Sequence, residues 1–361
     1  MFIRHRWLLC LLPITLLSVS FPGAQTFAQP TNRAEIEARI NALNNELEVL
    51  QQELETWPDT SASNVEDNAF EDNIFEGSAI LQPRLLPQAI AIEDLNERRD
   101  LEQASNRNPF AITTHRTNYI MPVSYNSEPN RESFAQIDPD DAPNNTELKF
   151  QLSVKVGIAT GLFANYGDLY FGYSQRSWWQ AYNTEASSPF RETNYEPELF
   201  VDFDSAWEVL GWVNTRNRVS INHESNGRSG DLSRSWNRLY AESTFQRGDW
   251  AFVVAPHWRV PEADSEDDNP DIQRYMGYGD LRLAKRLSNN HEIVAQWRGN
   301  PNAGNHGTQI DYSWPVFNSL RAHVQYYYGY GESLIDYDHR VHRLSLGFSL
   351  NPLFTPSGLN R

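Results

Sequence analysis

The 361-residue sequence predicts an all-β fold: a transmembrane antiparallel β-barrel of about twelve strands, preceded by an N-terminal helical, coiled-coil-like segment and a linker. From residue 108 onward the chain reads as segments of alternating polarity, rich in Tyr, Trp and Phe and separated by Gly, Asn, Asp or Pro. Several segments run ten or more residues, which suits a strand crossing a bilayer at about 45° better than the ~5-residue strand of a soluble sandwich. Aromatic clusters, Trp178 with Trp179 and Tyr326 to Tyr328, fit the girdles that such barrels place at the two membrane interfaces.

The first residues agree with export. "MFIRHRWLLCLLPITLLSVSFPGAQTFAQP" has basic residues at Arg4 and Arg6, an apolar run and then small residues, which is the layout of a signal peptide over 1–28. The apolar run is shorter than the ~20 residues a spanning helix needs, which disfavours an uncleaved anchor. The single cysteine, Cys10, falls inside it, so the mature chain would lack cysteine, disulfides and cysteine metal sites. A signal peptide and an even strand count together point to the bacterial outer membrane. Negative mean hydropathy does not argue against this, because a barrel turns only alternate residues toward lipid.

The N-terminal third has its own texture. Ile36, Ile40, Leu43, Leu47, Leu50 and Leu54 alternate spacings of four and three, a heptad seam that predicts an amphipathic helix over 29–56 able to self-associate or dock on a periplasmic partner. Residues 57–107 read as an acidic linker, 108–354 as the barrel and 355–361 as a tail. Of the net charge of −17, much lies early: residues 34–100 hold sixteen Asp and Glu against four Arg. Nucleic acid is therefore excluded as a partner, and divalent cations are favoured.

Period-two reading places strands at 116–125, 146–160, 165–182, 195–206, 208–224, 235–247, 249–261, 274–287, 291–300, 306–315, 319–330 and 340–350. One of them carries an anomaly. Val219, Ile221, His223 and Ser225 share a face, so an apolar stripe ends in a histidine and a serine. If the following hairpin folds about Gly230, Asn237 lies opposite His223, with Leu239, Ala241, Ser243 and Phe245 on its face, while Trp236, Arg238, Tyr240, Glu242 and Gln246 turn toward a polar lumen. A serine becomes a nucleophile when a base takes its proton, and a histidine does so near neutral pH if a third group fixes its tautomer. Any one of these residues alone is ordinary surface polarity. Together on a lipid-facing stripe, where unpaired polar groups cost several kcal/mol, they call for a chemical reason.

The strings "NHESNGRSG", "SRSWNRLYAE", "SSPFRETNYEPELF", "DDNPDIQRYMGY" and "YYGYGESLIDYDHR" resemble the outer-membrane phospholipase A family of Gram-negative bacteria, over about Asn108 to Phe354. The resemblance implies a twelve-stranded barrel that hydrolyses sn-1 and sn-2 acyl esters of phospholipids and lysophospholipids in the outer leaflet. Its nucleophile would be Ser225, its general base His223 and its orienting residue Asn237. It also implies an active calcium-dependent homodimer, with Ca2+ held by the hydroxyl of Ser187 from one subunit and by the carbonyl of Arg228 and the hydroxyl of Ser233 from the other. Asp268 matches a further acidic position and Gln175 a polar residue of the dimer interface. In one place the chain departs from the family: an aspartate is expected where Gly230 stands, with Asp231 next to it. The rival reading is a passive pore or structural barrel without hydrolase activity, which would conduct ions independently of Ser225. A third possibility makes the N-terminal helix the main functional part.

Overall fold

The computed structural model describes residues 87–350, apart from 109, 110, 264, 318 and 319. The expected signal peptide, the heptad helix, the first part of the linker and the tail lie outside the described residues. Helix α1 (Pro87–Asn106) precedes strands β1 (Thr113–Thr114), β2 (Tyr119–Asn126), β3 (Thr146–Ala159), β4 (Asp168–Trp179), β5 (Phe190–Asp204), β6 (Glu208–Val209) and β7 (Trp212–Ser225). Then follow β8 (Ser235–Arg247), β9 (Trp250–Arg259), β10 (Gly279–Arg286), β11 (Glu292–Asn300), β12 (Asn305–Phe317), β13 (Leu320–Gly329) and β14 (Val341–Ser349).

Twelve strands close into an antiparallel barrel: each pairs with its neighbour in sequence, β5 pairs with β7, and β14 returns to β2. The two-residue β1 and β6 add to β3 and β7. Closure leaves no sheet edge and satisfies the backbone within the wall, which is what a lipid environment requires. The outer face is apolar along successive alternate residues, with Ile120, Leu152, Leu199, Ile221, Leu344 and Leu346 all more than 40% exposed. The inner face is polar and buried.

The strands differ from expectation in three places. β5 begins at Phe190 rather than 195, because a bulge at Arg191 leaves the consecutive Arg191 and Glu192 both buried and breaks the alternation. β7 begins at Trp212, after a turn in which Leu210 and Gly211 both have positive φ, 53° and 79°. β10 begins at Gly279, since Ile272–Met276 is a short helix, α2, that packs Ile272 and Met276 against Trp236, Leu334 and Tyr337.

The stretch 87–106, expected as linker, is a 20-residue helix, and its polar side chains explain why it is ordered. Asp94 pairs with Arg286 of β10 at 2.7 Å, Glu102 with Lys155 of β3 at 2.8 Å and Arg99 with Asp204 of β5 at 2.9 Å. Arg98, buried, bonds both Asp204 and the Thr215 carbonyl of β7. One helix thus ties strands from around the wall at the end where the turns are short. At the opposite end the connections are long, and the cluster of Trp236, Ile272, Met276, Leu334 and Tyr337 forms a small apolar cap above the lumen. Between the two lies a cavity of about 600 Å³ lined by charged and polar groups such as Arg116, Glu196 and Gln325.

The lumen is held by ion pairs. Glu224 accepts from Arg238 at 2.7 Å, Arg176 at 2.9 Å and the Trp236 indole at 3.0 Å. Removing one partner of such a buried set strands the others without solvent. Glu224→Ala is expected to cost about 3 kcal/mol and lower the urea midpoint of the folded barrel; an unchanged midpoint would contradict this account of the lumen.

In the capping loop, Asp336 pairs with Arg191 at 2.6 Å and accepts from Asn130 and Ser333. Burial alone would raise its pKa, but Arg191 and the two hydrogen bonds outweigh burial and hold the carboxyl below the ordinary carboxylate range. A depressed acid contributes stability above its unfolded pKa of about 4 and loses it as pH falls through the folded value. Amide exchange in 330–340 should therefore accelerate, relative to the barrel strands, as pH falls below about 4, and Asp336→Asn should remove that dependence.

Candidate active site

β7 and β8 form the hairpin that carries the candidate site. Their register sets His223 opposite Asn237 and Ser225 opposite Ser235. Each outward residue is flanked by buried lumen residues that fix its strand: Asn222 and Glu224 bracket His223, and Trp236 and Arg238 bracket Asn237, all at most 2% exposed. His223, Ser225 and Asn237 consequently point away from the lumen, beside Ile221 and Leu239, which are 61% and 41% exposed. The expected face is the observed one.

His223 Nδ1 lies 2.9 Å from Asn237 Oδ1. With the amide oxygen as acceptor, Nδ1 carries the proton, and Nε2 of the neutral ring has a free lone pair. Ser225, two residues on along the strand, projects from the same face. This arrangement supplies a hydroxyl, a base and a group that fixes the base's tautomer. Asn237 Nδ2 also donates to Glu262 at 2.9 Å, a contact that the sequence did not announce because Glu262 lies in the loop after β9.

The register extends the site sideways. Leu152, Gln175, Tyr195 and Ser225 are successive cross-strand partners on β3, β4, β5 and β7. Gln175 is bonded by Tyr173 at 3.2 Å and donates to Ser177 at 3.3 Å, so this outward polar group is satisfied within the wall. Tyr173, Gln175 and Ser177 thus form a hydrogen-bonded polar patch on the outer face of β4.

The residues expected at the metal site fall in two places. The hairpin loop turns through a 3₁₀ segment, Gly230–Leu232, after which the Ser233 hydroxyl donates to Asp268 at 2.5 Å. Arg228 sits in the same loop, its guanidinium reaching the carbonyls of Phe190 and Arg191 at 3.1 and 2.8 Å. Ser187 is exposed on the separate β4–β5 connection, where it and Ser188 hold left-handed φ values of 54° and 52°. Such values cost a non-glycine residue about 1–2 kcal/mol each. The loop is held by Trp179, whose indole donates to the Ser188 carbonyl at 2.9 Å and stacks on Phe190.

A hydroxyl, a carbonyl and a carboxylate are hard oxygen donors of the kind calcium takes, and Ser233 with Asp268 already converge. No cluster of three or more His, Cys, Asp and Glu that could hold a metal occurs among the described residues, so a cation here would rely on the Asp268 carboxylate together with hydroxyl, carbonyl and water oxygens. Gly230 has φ 64°, and a Cβ built there meets nothing within 4 Å. The neighbouring Asp231 is exposed and directs its carbonyl to Arg234 at 2.9 Å.

Residues 95–350 match the model of the phospholipase A1 family. This chain belongs to that family. Phospholipase A1 of Klebsiella pneumoniae is 41% identical over 247 residues, 68% of this chain and 85% of that protein. The solved structure of outer membrane phospholipase A from Escherichia coli is 40% identical, with a TM-score of 0.65, over 68% of this chain and 100% of that one. The calcium-bound dimer of the Salmonella typhi outer membrane phospholipase is 37% identical, with the same TM-score of 0.65, over 75% of this chain and 100% of that one. Among the phospholipase A1 features expected from the sequence, the twelve-strand barrel is observed. Helix α1 begins ahead of the matched region, at Pro87.

Proposed function

We propose that this chain is a calcium-dependent outer-membrane phospholipase that hydrolyses the sn-1 and sn-2 acyl esters of phospholipids and lysophospholipids from a site facing the outer leaflet. The observation that carries this reading is the 2.9 Å contact between His223 and Asn237 on the outward face of the hairpin that also presents Ser225. Family membership and the relatives' names support the reaction class. The orientation rests on loop length: the trio lies near the end with long connections, and outer-membrane barrels extend their long loops to the cell exterior.

In this reading His223 Nε2 takes the proton of Ser225 as its Oγ attacks the ester carbonyl carbon. The tetrahedral oxyanion is stabilised by a backbone N–H donor. Collapse breaks the acyl–oxygen bond, and His223 returns the proton to the leaving lysophospholipid. A water then attacks the acyl-enzyme, again giving its proton to His223, and release of the fatty acid restores the Ser225 hydroxyl. Asn237 holds the imidazole throughout. It carries no charge, so it fixes geometry without the full electrostatic help of an aspartate.

Ser233, Asp268 and the Arg228 carbonyl would hold calcium with Ser187 from a second subunit. Bound there, calcium supplies positive charge beside the developing oxyanion. A dimer suits a shallow site on one wall, since a neighbour's face completes the groove for acyl chains. The calcium-bound dimer of the Salmonella typhi relative supports this assembly. A passive pore fits the described residues less well, because α1 lies across one end of the lumen and the apolar cap across the other.

Fatty-acid release from phospholipid micelles by the purified full chain tests the reading. Ser225→Ala and His223→Ala should each lose about 10⁴-fold in kcat with the barrel still folded, and Asn237→Ala roughly tenfold to hundredfold. An active Ser225→Ala protein would overturn it.

The metal assignment is checked by titrating calcium against activity and dimer formation. Asp268→Ala should raise the calcium concentration for half-maximal activity by roughly tenfold. Gly230→Asp should lower it, at a stability cost of about 1 kcal/mol for a left-handed aspartate.

A further inference from the structure

The Asn237 amide has two ends, and both are engaged. Its oxygen faces His223 Nδ1 at 2.9 Å, and its nitrogen donates to Glu262 Oε1 at 2.9 Å. Glu262 is itself placed by its surroundings. The Val260 N–H, two residues before it, donates to the Asn237 carbonyl at 2.8 Å, so the loop leaving β9 is tied to the residue it serves. Its other carboxylate oxygen lies 3.9 Å from the Arg259 guanidinium, which is anchored by Asp267 at 2.5 Å and the Asn269 carbonyl at 3.2 Å. The Glu262 side chain is only 16% exposed.

We propose that Glu262 is a positioning residue for Asn237, fixing which end of the amide meets the imidazole and setting a negative charge one group beyond it. This inference rests on the trio proposed above. An amide's oxygen and nitrogen are nearly isosteric, so an asparagine alone can flip and present N–H to Nδ1. That flip would force the other imidazole tautomer and leave Nε2 protonated and unable to act as base. An ionised carboxylate only accepts, so Glu262 binds the nitrogen end, and the flip would lose that hydrogen bond and set the amide oxygen against the carboxylate. The same contact accounts for an amide rather than an acid at 237. An aspartate there would set two carboxylates at hydrogen-bonding distance, where both cannot stay ionised. Asparagine instead donates to one neighbour and accepts from the other.

A five-way comparison in micelles at saturating calcium tests this: the full chain, Glu262→Gln, Glu262→Ala, Asn237→Asp and the Asn237→Asp, Glu262→Gln double variant, each checked for the heat-modifiable gel migration of a folded barrel. Glu262→Gln is expected to lower kcat about 5- to 20-fold with KM within about twofold, since orientation of the base and not lipid binding is affected. Asn237→Asp alone should lose more. Adding Glu262→Gln to it should restore kcat by about fivefold or more, because the new amide donates to the introduced carboxylate instead of repelling it. A merely structural Glu262 predicts additive losses in the double variant. Additive losses, or parental kcat in both Glu262→Gln and Glu262→Ala, would overturn the proposal. Ser225→Ala run alongside separates the two levels: if it retains activity the trio itself fails, whereas an inactive Ser225→Ala with parental Glu262 variants removes only the role of Glu262.

Discussion

The buried set formed by Glu224, Arg238, Arg176 and the Trp236 indole is the interaction on which the rest of this structure depends. It sits inside the barrel, yet it determines what the outside can do. A strand turns successive side chains to opposite faces, so pinning Glu224 and Arg238 inward obliges His223, Ser225 and Asn237 to point outward. A shift of register by one residue would put three charged or hydrogen-bonding lumen groups into lipid and the candidate trio into the lumen. The cost of burying those ions without partners makes that slip prohibitive.

The wall then faces two solvents with opposite demands. Toward lipid it shows Ile221, Leu239 and Leu199, and any polar atom there needs a partner within reach. Outward polar residues meet this by pairing with one another: Tyr173 with Gln175, Gln175 with Ser177, Ser243 with Asn217, and His223 with Asn237. Toward the lumen, the large ionic content is tolerable because nearly every cation sits against a carboxylate, as Lys149 and Arg343 do against Glu332. Both pairs are almost fully buried, which strengthens them.

Much of the candidate site was legible because it is local. His223 and Ser225 are two positions apart, Asn237 falls opposite His223 once the hairpin is centred near Gly230, and period-two alternation assigns the face. Strand ends were read less well where a bulge breaks the alternation, as at Arg191 and Glu192 of β5. Helix α1 was read as linker because its acids and arginines look solvated until Arg286, Lys155 and Asp204 are brought to them from distant strands.

By itself the sequence determined the β class, the strand count, the outward trio and the family resemblance, all of which follow from short-range alternation and contiguous strings. Only the tertiary structure decided that 87–106 is a helix lining one end of the lumen, that Ser233 meets Asp268, and that Glu262 meets Asn237. The physical reason is one of range. Alternation and hairpin register are set by neighbours along the chain, whereas the partner of a charged loop residue is chosen by how the closed barrel brings its loop ends together, which no local pattern encodes.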